Sequence, residues 1–202
     1  MGSNYGRLVD VATGGIMKRK RWDALADRLP PDRPITGAEI GVWDGRMSVE
    51  LLRRLLLLTL YMVDRWQPPQ PEDSYYDSGS SYARESAALY RKMMDQAIGR
   101  TSLFSDRRVV VAAESAQAAA KIRPELLDFA FIDADHSYAG VMRDLSAWVP
   151  KVRAGGWICG HDYGHPDQGE VKRAVDEYFA VWPGVIEIDA NRTWFYRIPE
   201  AQ

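Results

Sequence analysis

From Ile35 onward the chain alternates short apolar runs, bounded by glycine or aspartate, with longer segments of helical periodicity. The runs Ala38–Val42, Thr59–Val63, Val109–Ala112, Phe129–Asp133, Trp157–Gly160, Val185–Ile188 and Trp194–Ile198 read as strands. Between them, Met47–Leu57, Tyr82–Ile98, Ala116–Ile122, Tyr138–Val152 and Glu170–Val181 read as helices. Strict alternation of this kind predicts a doubly wound α/β fold, a parallel sheet with right-handed crossovers and helices on both faces. The last two strands have no helix between them, and Asp189, Ala190 and Asn191 suit a hairpin turn. The expected sheet is therefore seven-stranded and mostly parallel, with one antiparallel strand.

Two segments stand outside this rhythm. Residues 16–29 carry Trp22, Leu25, Ala26 and Leu29 at helical spacing, and Pro30 and Pro31 stop the pattern. We read residues 1–34 as a helical extension and 35–202 as the main domain. The run Lys18, Arg19, Lys20, Arg21 is expected to be a solvated helix face. Gln67–Ser81 contains Pro68, Pro69, Pro71, Gly79 and several serines, and reads as a long lid loop over residues 67–81. Tyr75, Tyr76 and Tyr82 beside it, with Tyr163 further on, would offer aromatic faces to a sugar or a ring-bearing natural product.

Composition narrows the class. At 202 residues the chain suits one compact domain with a self-sufficient core. Its single cysteine, Cys159, excludes an internal disulfide framework and a cysteine-based zinc cluster. With 26 basic and 28 acidic side chains, the formal net charge of −2 argues against general nucleic-acid binding. The apolar run Leu55–Val63 is too short to span a bilayer, which takes about 20 residues. No secretory or myristoylation signal is recognisable, so the expected setting is cytoplasmic, without membrane contact. Oligomeric state, including a homo-oligomer, stays open.

In an open parallel sheet, ligands bind beyond the carboxyl ends of the strands, and polar residues concentrate there. After the first strand, Gly41 permits a sharp turn and Gly45 sits where the next helix begins, with amides suited to a bound group. Asp64 ends the second strand, where a carboxylate can take two ribose hydroxyls. Glu114 and Ser115 follow the third strand and suit an adenine contact; Ser115 equally suits a helix N-cap. Asp133, Asp135, His136 and Ser137 follow the fourth strand, and His161 and Asp162 follow the fifth. Neighbouring strands would bring these last two groups together.

The succession GAEIGVWDGRMS, YMVDRW, AAES and DFAFIDADHSYAGVMRDLSAWVPKVRAGGWICGHDY resembles class I S-adenosylmethionine-dependent methyltransferases over residues 35 to 182. It is most similar to a small bacterial group related to macrocin-type sugar O-methyltransferases, and Phe131 to Asp162 is its most specific piece. The resemblance implies a Rossmann-like fold and methylation of a small-molecule acceptor, a sugar or natural-product hydroxyl. It implies that Glu39, Gly41 and Trp43 line the methionine end of the cofactor S-adenosylmethionine. Asp64 would hold the ribose with Arg65 or Trp66 alongside, Glu114 and Ser115 would border the adenine, and Asp133 would face the sulfonium. Asp133 and Asp162 are the implied metal ligands, and Asp135 matches the general base of the sugar enzymes. His161 stands where those enzymes carry a second acid.

Two carboxylates suit magnesium, whereas a histidine ligand favours manganese. The base stays open between Asp135, His136 and His161, histidine being better matched to neutral pH. Three other classes share parts of this pattern. A nicotinamide-dependent oxidoreductase is disfavoured by the Gly-x-x-x-Gly spacing, which lacks the third glycine. A non-catalytic S-adenosylmethionine-binding protein would not need the Asp/His group. A nucleic-acid methyltransferase would rest on Lys18–Arg21 alone.

Overall fold

The computed structural model of the chain describes residues 18–71, 73, 76 and 81–200. The strands are β1 (Ile35–Ile40), β2 (Leu58–Asp64), β3 (Arg108–Ala112), β4 (Leu127–Ile132), β5 (Val152–Gly160), β6 (Glu187–Asp189) and β7 (Thr193–Arg197). The α-helices are α1 (Arg21–Ala26), α2 (Arg46–Arg54), α3 (Ala87–Arg100), α4 (Ser115–Ala120), α5 (Tyr138–Trp148) and α6 (Gly169–Phe179). The strands form one sheet in the order β3-β2-β1-β4-β5-β7-β6, and β7 runs antiparallel to both its neighbours. This is the expected Rossmann-like, doubly wound sheet with its one reversed strand. The hairpin turn lies where the sequence put it, as a short 3-10 turn over Ala190–Arg192.

Strand periodicity builds two cores, one on each face of the sheet. In β4, Ala130 and Ile132 pack with Val141, Leu145 and Trp148 of α5 and Val171, Val175 and Phe179 of α6. The alternate residues Phe129 and Phe131 join Leu51 and Leu52 of α2, Met93 and Ala97 of α3, and Ala24 and Leu25 of α1. Both faces are covered, so β4 is buried at every position, as a central parallel strand requires. Gly37 of β1 lies opposite Phe129, and a Cβ there would sit 2.1 Å from the phenyl ring. The glycine is what lets that ring lie across the sheet.

Several boundaries move. β1 starts at Ile35 and ends at Ile40, so Val42 lies beyond the strand, and Asp133 lies just past the end of β4. The helix expected over 16–29 is realised as α1, Arg21–Ala26; residues 1–17 lie outside the described residues. The solvated-face reading of Lys18–Arg21 holds for the exposed Lys18 and Lys20 and fails for Arg19 and Arg21. Arg19 pairs with Asp27 and Asp189, and Arg21 pairs with Asp133. Much of the expected lid, including Tyr75, also lies outside the described residues. Among the described residues no helix is long and apolar enough to cross a membrane.

The extension is mounted on the same core as the sheet, since Ala24 and Leu25 are fully buried. Leu25→Ala should therefore lower unfolding stability by about 2–5 kcal/mol, the range for an unrelaxed core cavity. Urea unfolding measures it; a loss below about 0.5 kcal/mol, as for a surface change, would mean that α1 is not core.

Candidate functional site

Strand order reverses at β1, which has β2 on one side and β4 on the other, all parallel. The loops leaving β1 and β4 then diverge to opposite faces, opening the rim between them. The chain continues the ladder past the strand ends: Gly41 N donates to Val63 O at 2.9 Å and Asp133 N to Ile40 O at 2.8 Å. Gly41 has φ +89°, and a Cβ there would lie 2.2 Å from the Asp133 carbonyl oxygen. Only glycine brings the first loop this close to β4.

Glu39 lies beneath that loop, 3% exposed, and accepts from Ser48 Oγ at 2.5 Å. Burial pushes its pKa up to about 8, against the opposing pull of the Ser48 hydrogen bond and the Arg21 charge. Asp64, the last residue of β2, ties two loops together. One carboxylate oxygen accepts from Trp43 N at 2.9 Å and the other from Trp66 N at 2.7 Å. Trp66 Nε1 closes the frame by donating to Trp43 O at 2.8 Å. Both tryptophans sit at positive φ, 53° and 43°, a conformation that bulky residues hold only when the surroundings impose it. Burial raises the Asp64 pKa, and the amides of Trp43, Trp66 and Val42 and the Arg65 charge oppose it.

The other expected cofactor residues separate. Gly45 is the N-cap of α2. Arg65 turns into the following loop, donating to Asp73 at 2.8 Å and Gln67 O at 3.0 Å, while Trp66 is buried. Glu114, and not Ser115, caps α4, accepting from Gln117 N at 3.1 Å. The Ser115 hydroxyl instead donates to Asp144 at 2.5 Å and accepts from Trp148 Nε1 at 2.9 Å. Burial lifts the Asp144 carboxyl to about 7. Sequence reading missed Asp144; the signal was an acid in register with the apolar stripe Val141, Leu145 and Trp148 of α5.

The two expected groups after β4 and β5 do meet. His136 Nε2 lies 3.4 Å from Asp133 and 3.2 Å from Asp162. One ligand atom from each of Asp133, His136 and Asp162 falls within 4.8 Å of the others. His161 Nδ1 is 3.0 Å from Asp162 and 4.0 Å from Asp133. Its Nε2 takes the Asn191 side-chain amide at 2.9 Å, which leaves the Nδ1 proton facing Asp162. Burial lowers the His136 pKa, but hydrogen bonding to Asp133 and the charges of Asp133, Asp162 and Asp135 outweigh it, so the net shift is upward. Burial raises the Asp162 pKa, and the neighbouring histidines more than reverse it. Asp162 is held at φ +62°, again an imposed conformation.

Asp135 is anchored differently, accepting from Ser137 N at 2.9 Å and Arg143 Nη2 at 3.4 Å in the turn before α5. Two residues that sequence reading did not place here complete the group: Asn191, from the hairpin turn, and Arg21, whose Nη1 donates to Asp133 at 2.5 Å. A dyad of aspartates with an imidazole between them can hold a divalent ion or share a proton with a bound hydroxyl.

The sequence matches the family described as a methyltransferase domain over residues 38–163. No curated protein sequence matches the chain. Among solved structures, the chain is similar to the O-methyltransferase NovP, with a TM-score of 0.61 and 19% identity, covering 88% of this chain and 76% of that one. It is similar to CalS11, a calicheamicin methyltransferase, with a TM-score of 0.64 and 15% identity over 87% of this chain and 76% of that one. An rRNA methylase from Streptococcus thermophilus has a TM-score of 0.59 and 13% identity over 93% of this chain and 100% of that one. These likenesses are of fold, which is shared across acceptor classes.

Glu39 titrates near 8 when folded and near 4.5 when not, so between those values the folded state binds more protons and stability falls as pH rises. Relative to Glu39→Gln, the wild type should lose up to about 1.4 kcal/mol per pH unit through that window. Urea titrations of both proteins at several pH values measure this. Parallel pH profiles would place Glu39 in a polar setting.

Proposed function

This chain belongs to the methyltransferase-domain family, and from that premise we propose that it moves a methyl group from S-adenosylmethionine to a small-molecule hydroxyl. One observation carries the reading. Four neighbouring strands, β2, β1, β4 and β5, range Asp64, Glu39, Asp133 and Asp162 along one rim at the point where strand order reverses.

When bound, S-adenosylmethionine supplies an electrophilic methyl carbon on a sulfonium. The protein's work is to bind, aim and exclude water. Asp64, fixed by the Trp43 and Trp66 amides, takes the ribose hydroxyls. Gly41 lets the backbone approach the methionine end, next to Glu39. Glu114 and Ser115 flank the adenine end, with Ser115 held by Asp144. Asp133 faces the reacting centre from the end of β4.

The acceptor proton is handled by the Asp133, His136 and Asp162 group. Two carboxylates and an imidazole fit a divalent ion, and the imidazole favours manganese or another transition ion over magnesium. Such an ion would bring acceptor oxygens to the site and lower their pKa. His161 would orient Asp162 through its Nδ1 proton. A second reading is favoured by a specific contact: Arg21 already supplies a cation to Asp133, and His136, with its raised pKa, is then the general base without an ion.

The test is calorimetry of metal-stripped protein with S-adenosylhomocysteine, with and without manganese or magnesium. Asp64→Ala should weaken S-adenosylhomocysteine at least about tenfold, the cost of one charge-assisted contact. Unchanged affinity would remove Asp64 from the ribose site. Manganese binding, read by electron paramagnetic resonance, should be lost in Asp133→Ala and in Asp162→Ala. If the wild type binds no manganese, the His136 base reading replaces the ion.

A further inference from the structure

The basic run ahead of α1 does something that its exposed lysines conceal. Arg21 projects from the first turn of α1 to Asp133 at 2.5 Å, and its charge also acts on buried Glu39. Its guanidinium thus lies between the ends of β1 and β4, three-quarters buried. Among the described residues it donates to protein through Nη1 alone, so Nε and Nη2 keep their donors.

The mounting of this side chain is rigid. Ala24 and Leu25 bury α1 in the core, and Asp23 pairs with Arg54 of α2 at 2.9 Å. On the other flank Arg28 reaches Asp189 at 2.7 Å and Glu187 at 2.9 Å, and Arg19 reaches Asp189 at 3.2 Å. A surface arginine needs none of this; an arginine that must present a fork in one place does.

Taking the proposed methyl donor as given, we infer that Arg21 binds the carboxylate of its methionine head. The head carries an ammonium and a carboxylate beside the sulfonium. Asp133 suits a cationic centre and, standing alone, would repel the carboxylate, while Glu39, held neutral by burial, adds no charge. A guanidinium held against Asp133, with Nε and Nη2 still available, offers the carboxylate a planar two-point partner and leaves Asp133 neutralised. Arg21 is in this sense a specificity residue: it distinguishes ligands with the amino-acid head from those that carry only the nucleoside and sulfur.

Two probes separate these parts. S-adenosylhomocysteine has the complete head; 5′-methylthioadenosine has the same nucleoside and a thioether methyl in its place. Calorimetry on the metal-stripped full chain should show Arg21→Gln weakening S-adenosylhomocysteine about 10- to 100-fold, with 5′-methylthioadenosine changed less than about twofold. Arg21→Lys, which keeps the charge and loses the fork, should fall between wild type and Arg21→Gln, and it serves as the variant should Arg21→Gln not fold. An equal loss for both probes would make Arg21 a strut for α1. Tighter S-adenosylhomocysteine binding would make it a plug that the head must displace. Either overturns the inference, as would unchanged binding of both. A wild type that binds neither probe overturns the methyl-donor reading itself, and this inference with it.

Discussion

The position of β1 between two parallel partners constrains everything at the rim. Strand order reverses there, so right-handed crossovers lead from β1 to β2 across one face and from β4 to β5 across the other. The loops after β1 and β4 therefore part, and whatever the chain places at Gly41 and Asp133 faces the gap. That geometry demands close approach of two backbones, and Gly41 meets the demand with a positive φ that no Cβ would survive beside the Asp133 carbonyl. Once the loop is seated, Asp64 can reach the amide of Trp43 across from β2, and the second frame through Trp66 follows. The rim is thus assembled from backbone donors held by buried acids, in an order set by the sheet.

Gathering acids in this way raises an electrostatic problem, and the chain solves it differently at each one. Glu39 is kept neutral by burial up to about pH 8, so it adds no charge to the rim near neutrality. At Asp64 burial raises the pKa, and the amides of Trp43, Trp66 and Val42 with the Arg65 charge oppose that rise. Asp133 and Asp162 are held together by the cations and imidazoles between and beside them: Arg21, His136 and His161. Like-charged carboxylates at this spacing would otherwise drive one another toward protonation. The consequence is functional, because groups poised by their neighbours respond when a ligand alters those neighbours.

Much of this was legible in the sequence, for a physical reason. The seven strands, the reversed strand and the site acids at their carboxyl ends all follow from short-range pattern: apolar runs of strand length with polar residues at one end. The meeting of His136 and His161 with Asp133 and Asp162 also followed, once β4 and β5 were neighbours. What the pattern could not carry were contacts between residues distant in sequence. Arg21 lies 112 positions from Asp133, and Asn191 lies 30 from His161. A run such as Lys18–Arg21 gives no local sign of which members stay solvated. Ser115 shows the same limit from the other side: it is placed well for a cap, but a buried acid one helix away claims its hydroxyl.

The two ends of the rim differ in what holds them. Around Ser115 the polar groups form a closed chain, Trp148 to Ser115 to Asp144, each satisfied by the next and packed against α5. Such a network fixes position and offers little to a newcomer. Around His136 the arrangement is open: its Nδ1 is buried with no partner among the described residues, and Asp162 sits in a conformation that its surroundings impose. Unsatisfied donors and imposed backbone are costs that a folded protein carries where groups must rearrange. The contrast sets a closed, satisfied network at the Ser115 end against open groups and imposed backbone at the His136 end.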